Sequence, residues 1–137
     1  MNMKARIAVV VGSMLVVSGA FAHHSAATEF DPNDTVSLEG VIVDVQWKNP
    51  HIWFYVDVTD KNGDVTTWGF TGSPPGMLMR RGITRDVLKI GAEVKVDGFR
   101  ARDGSPNATA RNVTFADGTS VFAGTPGDPA GAGAEVR

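Results

Sequence analysis

The sequence predicts an all-β domain: a small five-stranded barrel with one short helix between strands three and four. Segments of alternating apolar and polar residues are separated by turns rich in glycine, asparagine and aspartate, as expected of antiparallel hairpins. A glycine interrupts the alternation of the first segment, which is typical of the bend that lets one strand serve both halves of a barrel. The β pattern stops once, at Ser73-Pro74-Pro75, where a helix can begin.

The first strand is predicted from Val36 to Trp47. Its apolar residues change parity at Gly40: Val36 and Leu38 precede the glycine, and Val41, Val43, Val45 and Trp47 follow it. A glycine at such a change of parity predicts a β-bulge at that residue.

The second and third strands, His51 to Val58 and Val65 to Thr71, are predicted as a hairpin around Asn62-Gly63. Alternate residues of a strand share a face. In strand two these are Ile52, Phe54, Val56 and Val58 on one side, and His51, Trp53, Tyr55 and Asp57 on the other. Both sides carry apolar residues, so one covers the core and the other faces something besides bulk water.

The helix is predicted from Pro75 to Arg81, with Ser73 as its cap and Gly82 as its stop. Strands Glu93 to Arg102 and Ala108 to Phe115 follow, and then a short strand from Thr119 to Phe122. This order of elements is that of the OB-fold, whose ligands meet strands two and three near the loops joining strands one to two and four to five. A plain sandwich of the same strands is the alternative.

The two ends of the chain are expected to lie outside the barrel, which is predicted over residues 36–123. Lys4 and Arg6, an apolar run and the Ala20-Phe21-Ala22 site match a cleavable signal peptide over residues 1–22. An uncleaved anchor helix is the alternative. Residues 23–35 are predicted as an irregular leader and residues 124–137 as a disordered tail rich in glycine, proline and alanine. The mature protein is therefore expected in the periplasm.

Composition narrows the classes of function. Loss of Lys4 and Arg6 leaves 11 basic residues against 15 acidic ones, a net charge of about −4, which argues against nucleic-acid binding. The chain has no cysteine and no phosphate-binding or dinucleotide motif, and no catalytic residue is predicted. The expected partner is a small molecule or a periplasmic protein, with no membrane contact once the signal peptide is removed.

Several motifs resemble those of an uncharacterised family of small exported bacterial proteins. They are His23-His24-Ser25, Glu29-Phe30-Asp31, Gly40-Val41, the run Trp47 to Val58 that contains Asn49-Pro50-His51, Arg80-Arg81-Gly82, Gly98 to Ser105, Asp117-Gly118 and Phe122-Ala123-Gly124. The resemblance implies export and an OB-like barrel, but it implies no activity and no site residues.

The chain has three histidines, His23, His24 and His51, and they form the candidate metal site. Cleavage after Ala22 would make His23 the first residue, so that its amine and imidazole could chelate one ion together. The imidazole of His51 would complete a three-nitrogen site resembling the histidine brace of exported copper proteins, and such nitrogen sites suit copper(II). The alternative is that His23 and His24 are solvated and that His51 hydrogen-bonds its own turn.

The candidate ligand-binding residues are Trp53, Tyr55, Trp68 and Arg102. Trp53 and Tyr55 share the His51 face of strand two, Trp68 is expected across from them on strand three, and Arg102 begins the loop between strands four and five. Such an aromatic strip can stack on a sugar, a sterol or a base. The alternative is that these rings fill the core and that the arginines pair with nearby aspartates, Asp86, Asp97 and Asp103.

Overall fold

The structure is a computed structural model that describes residues 26–124, so the predicted signal peptide, His23, His24 and nearly all of the predicted tail lie outside the described residues. The elements are α1 (Ala26–Glu29), β1 (Phe30–Gln46), β2 (Trp53–Thr59), β3 (Val65–Thr71), α2 (Pro75–Arg80), β4 (Glu93–Ala101), β5 (Asn107–Phe115) and β6 (Ser120–Phe122). None of the helices within residues 26–124 combines the length and apolar character needed to cross a bilayer.

Strand pairing closes the sheet into a ring. The strands run in the order β3-β2-β1-β4-β5-β6. A parallel pairing of β3 with β5, from Gly69 opposite Asn107 to Thr71 opposite Thr109, closes β1 to β5 into the ring. β6 extends the sheet from β5. Five strands therefore form a barrel with α2 between β3 and β4, which confirms the predicted OB-like fold.

The bulge in β1 lies at Val43, not at Gly40 as predicted. Ile42 pairs with Val56 and Asp44 with Tyr55, which leaves Val43 as the extra residue. Ile42 is fully buried, whereas Val41 and Val43 are exposed. Gly40 has a different role. It lies where β1 stops pairing with β4 and begins to pair with β2. A Cβ at Gly40 would overlap the carbonyl oxygen of Asp57. The glycine allows close approach of two backbones, and the change of parity follows three residues later.

β1 also begins earlier than predicted, at Phe30 rather than Val36, so the end of the expected leader is ordered structure. Phe30 pairs with Ala101, and its side chain is buried against Phe99. Two ion pairs, both at 3.5 Å, tie the same stretch to β4 and to the residue after it: Arg100 with Asp34, and Arg102 with Asp31. The stretch was not predicted as a strand because it is polar. Its acidic side chains are instead stabilised by ion pairs with Arg100 and Arg102.

The main core lies inside the barrel and is closed at one end by α2 and the loop after it. Its largest fully buried side chains include Ile42, Ile52, Phe54, Val56, Phe70, Leu78, Ile83 and Leu88. Phe54 and Phe70 stack with centroids 5.4 Å apart. The predicted core face of β2 is thereby confirmed, and each such side chain stabilises the fold by about 1.5–3 kcal/mol.

Ser73 does not cap α2. Pro74 holds the cap position without a side-chain hydrogen bond, while the buried Ser73 hydroxyl donates to the Gly124 carbonyl at 2.5 Å. The Arg81 guanidinium donates to the same carbonyl at 2.7 Å. The serine therefore anchors the segment after β6. Gly82, with φ of 89°, ends the helical stretch as predicted.

Candidate functional site

Two aromatic rings lie side by side on the outer face of β2. Trp53 and Tyr55 are two residues apart and therefore share a face, opposite to the buried Phe54. Their centroids are 6.4 Å apart and their planes differ by 24°, so the two rings are nearly parallel. Both residues are half-buried. We call this pair the aromatic platform.

Gly69 of β3 lies beside the platform, directly across from Tyr55. A Cβ built on Gly69 would lie 3.4 Å from Trp53 Cζ3, 3.3 Å from Tyr55 Cε1 and 2.5 Å from Asn107 Oδ1. The two rings and the amide of Asn107 therefore surround the space above Gly69, which a side chain would fill at any other residue. A glycine in a strand often marks such a place of close approach.

Asn107 belongs to the site but could not be found from the sequence. It reaches Gly69 through the parallel β3–β5 pairing, which joins residues far apart in the chain. Its amide Nδ2 donates to Ser105 Oγ at 2.9 Å, and Ser105 Oγ donates to Asp103 Oδ1 at 2.6 Å. This chain of hydrogen bonds fixes which way the amide points, and Oδ1 faces the platform.

Asp103 is the charged end of that chain. Its Oδ1 also accepts the backbone N–H of Ser105 at 2.9 Å. The pKa of this carboxyl is lowered, first by the Ser105 hydroxyl and then by the Ser105 N–H, because both hydrogen bonds favour the charged form. The loop between β4 and β5 is thus held in one arrangement beside the platform.

Trp53 is also packed against a second apolar cluster on the outside of the barrel, formed by Phe30, Phe99 and Ala101. One part of its ring is therefore used to cover these residues. This contact explains why the outer face of β2 is apolar.

Trp68 does not join the platform. It pairs with Val56, so it lies on the core-facing side of β3, where its ring stacks with Phe70 at 6.4 Å. The Arg100 guanidinium carbon lies 5.1 Å from the Trp68 centroid. The expectation that Trp68 faces Trp53 and Tyr55 is wrong because the hairpin register places it opposite a buried valine.

The arginines contact the chain itself, and the two ion pairs described for them are with Asp31 and Asp34 at the start of β1. Arg102 is exposed and pairs with Asp31, and its backbone N–H donates to the Glu29 carbonyl oxygen at 2.9 Å. Arg102 thus holds the start of β1 against the end of β4.

Two further arginines lie near α2. The Arg85 guanidinium carbon lies 5.1 Å from the centroid of the Trp47 ring. The pKa of Arg81 is lowered, mainly because burial disfavours its charge and secondarily because Arg80 is near.

His51 is exposed, and its ring is oriented by one hydrogen bond. Nδ1 lies 2.9 Å from the Gly72 carbonyl oxygen, which only accepts, so Nδ1 carries the proton. In the neutral ring the lone pair is then on Nε2. Within residues 26–124 no group of three or more histidine or acidic side chains could hold a metal ion. His23 and His24, the other two candidate ligands, lie outside the described residues.

None of the curated proteins matches this chain. Among solved structures, it is similar to the mitochondrial single-stranded DNA-binding protein Rim1 of S. cerevisiae, with 12% identity over 61% of this chain and 93% of that one and a TM-score of 0.48. It is also similar to the N-terminal domain of the PriB protein of Thermoanaerobacter tencongensis, described as dimeric, with 20% identity, 61% and 96% coverage and a TM-score of 0.45. A family model described as "Family of unknown function (DUF6152)" matches residues 11–111. The chain therefore belongs to that family.

Proposed function

We propose that this protein is an exported binding module that holds a small molecule with a flat ring on the aromatic platform. The observation that carries the proposal is the convergence of Trp53, Tyr55 and Asn107 over Gly69. A ring laid on Tyr55 would gain about 1–3 kcal/mol from stacking. The Asn107 amide supplies a hydrogen-bonding group at the edge of the surface, which is where orientation and specificity arise.

A sugar, a sterol or a base fits this description equally, because each offers a flat apolar face with polar groups at its rim. A long nucleic acid fits less well because the mature domain would be acidic and could not neutralise many phosphates. Export is supported by the basic start, apolar run and Ala20-Phe21-Ala22 site of the first 22 residues.

The test is a titration of the full chain with three probes, glucose, cholate and adenosine, followed by tryptophan fluorescence. We expect one probe to give a saturable change, and Tyr55→Ala to weaken its binding at least tenfold. Gly69→Ala should weaken it similarly, because the added Cβ would push the Asn107 amide out of its place and fill the space over the strand. Trp68→Phe is the matched control and should bind as wild type does, since Trp68 lies on the core face.

Two results would contradict the proposal. One is that no probe saturates, or that Tyr55→Ala and Gly69→Ala bind as tightly as wild type. The other is that Trp53→Ala and Tyr55→Ala both simply unfold the protein, which would mean that the rings are structural.

Copper binding is the second candidate function, and one observation favours it. The hydrogen bond from His51 Nδ1 to Gly72 fixes the ring with Nε2 as the free nitrogen, on an exposed residue. Ligating histidines usually have their other nitrogen held in this way. We propose that the amine and imidazole of His23, freed by cleavage after Ala22, would supply the remaining nitrogens, with His24 as an alternative ligand.

The copper proposal is tested by titrating the protein that begins at His23 with copper(II) and recording the paramagnetic resonance spectrum. One tight nitrogen site is expected, weakened by His51→Ala and lost when a methionine precedes His23. Equal binding by the methionine-extended protein would exclude a chelate that uses the free amine. The intact mass of the exported protein tests the cleavage site independently.

A further inference from the structure

We propose a second binding site, a small pocket on the outer face of the barrel that takes a zwitterion, meaning a molecule with one carboxylate and one ammonium group on a short carbon frame. The pocket has a volume of about 230 Å³ and lies where β1, β4 and β5 meet. Its polar lining is Thr35, Ser37, Asp97, Arg111 and Asn112, next to the ring of Phe99.

A bulge in the β4–β5 pairing forms this pocket. Asp97 pairs with Asn112 and Gly98 with Ala110, so Arg111 is an extra residue of β5. A Cβ on Gly98 would overlap the Thr109 carbonyl oxygen, so only a glycine permits the approach of the two strands beside the bulge. Bulges redirect side chains and are over-represented near active sites. Here the bulge brings Arg111 and Asn112, consecutive in sequence, to one pocket.

Arg111 is positioned but not satisfied. Its guanidinium carbon lies 5.1 Å from the centroid of Phe99, which holds the side chain in place. Its Nε atom is buried and has no hydrogen-bond partner in the part of the chain that the structure describes. A buried donor without an acceptor has lost its hydration without a hydrogen bond in return. A carboxylate is the group that best matches the planar fork of an arginine.

Asp97 supplies the opposite charge. Its Oδ1 accepts the Ser37 hydroxyl at 2.6 Å, which fixes the carboxylate on the pocket wall. Among residues 26–124 no ion pair joins Asp97 to Arg111. The pocket thus presents one positive and one negative group that do not neutralise each other directly.

Charge and size together define the ligand class. A simple anion would face Asp97 and a simple cation would face Arg111, whereas a molecule with both charges meets a partner at each. Ligand pockets usually measure about 300–1,000 Å³, so 230 Å³ suits a molecule of the size of a free amino acid. This site does not use Trp53, Tyr55 or Asn107, so it is independent of the platform.

The experiment titrates the full, ¹⁵N-labelled chain with L-alanine and follows the amide shifts of Ser37 and Asn112. We expect saturable shifts, and binding at least tenfold weaker for acetate, for methylammonium and for the Arg111→Met variant. Arg85→Met is the matched control, because Arg85 also lies on an aromatic ring but far from this pocket in sequence and pairing, and it should bind as wild type does.

Each alternative outcome would overturn the assignment. Acetate binding as tightly as L-alanine would show a plain anion site, and unchanged binding by Arg111→Met would remove Arg111 from it. Absence of saturable shifts at Ser37 and Asn112 would remove the site altogether. If Arg111→Met fails to fold, Ser37→Ala replaces it, since freeing the Asp97 carboxylate should weaken binding several-fold.

Discussion

Single glycines decide where strands of this barrel can touch. Gly40, Gly69 and Gly98 each lie under a neighbour that would collide with a Cβ, but the neighbours differ. At Gly98 the obstacle is the carbonyl of Thr109, which is part of a paired strand and cannot move alone. At Gly69 the nearest obstacle is the end of the Asn107 side chain, which can turn away. The same substitution should therefore have different consequences at the two positions.

We expect Gly98→Ala to lower the free energy of unfolding by about 1–3 kcal/mol, the usual cost of forcing extra atoms into a packed site. Urea denaturation measures the change. Gly76→Ala in α2 is the control: its Cβ would meet only Arg80 Nη1 at 3.7 Å, and alanine favours helix over glycine. Equal stability of Gly98→Ala and wild type would mean that the two backbones do not approach closely at Gly98.

At the scale of elements, the loops are fixed by aspartates that bind the backbone two residues ahead. Asp103 does so in the β4–β5 loop and Asp117 in the β5–β6 loop, where it accepts the Thr119 N–H at 2.8 Å. The pKa of Asp117 is lowered by Thr119, through the backbone and then the hydroxyl, as that of Asp103 is by Ser105. Each loop is thus ordered by a charged acceptor.

This arrangement predicts a dependence on pH below the ordinary pKa of aspartate. A carboxyl with a lowered pKa in the folded protein stabilises its loop above the unfolded value, about 3.8, and that stabilisation is lost as the pH falls through the lower folded value. The Ser105 amide resonance should therefore move only below about pH 3.8. In Asp103→Asn that transition should vanish while the Thr119 amide still titrates. An unchanged Ser105 transition in the variant would assign it to another group.

At the scale of the whole molecule, local periodicity predicted the fold well because it depends on neighbours in sequence. The alternation of Ile52, Phe54 and Val56 was enough to define the core face of β2. The bulge at Val43, the role of Ser73 and the position of Asn107 were not predictable in this way. Each depends on a partner distant in the chain, namely Val56, Gly124 and Gly69, and no local pattern encodes such pairings.

The molecule has two apolar clusters, one inside the barrel and one outside it, and their independence can be tested. Phe54 lies in the barrel, fully buried and stacked on Phe70, whereas Phe30 lies outside it with Phe99 and Ala101. Phe54→Ala should lower the free energy of unfolding by about 3–5 kcal/mol, because a ring lost from a closed core leaves a cavity. Phe30→Ala should cost less globally, since the start of β1 can detach from β4 while the ring of five strands stays closed.

Hydrogen exchange distinguishes the two effects. In Phe30→Ala the Ala101 and Arg102 amides should exchange faster, because the Arg102 N–H donates to the Glu29 carbonyl oxygen on the detached segment. The Val56 amide should keep its protection, because Val56 lies on β2, which pairs with a later part of β1. In Phe54→Ala protection should fall throughout the barrel. Equal loss of protection at Val56 in both variants would mean that the outer cluster and the core unfold as one unit, and that residues 30–34 are as essential to the barrel as β2.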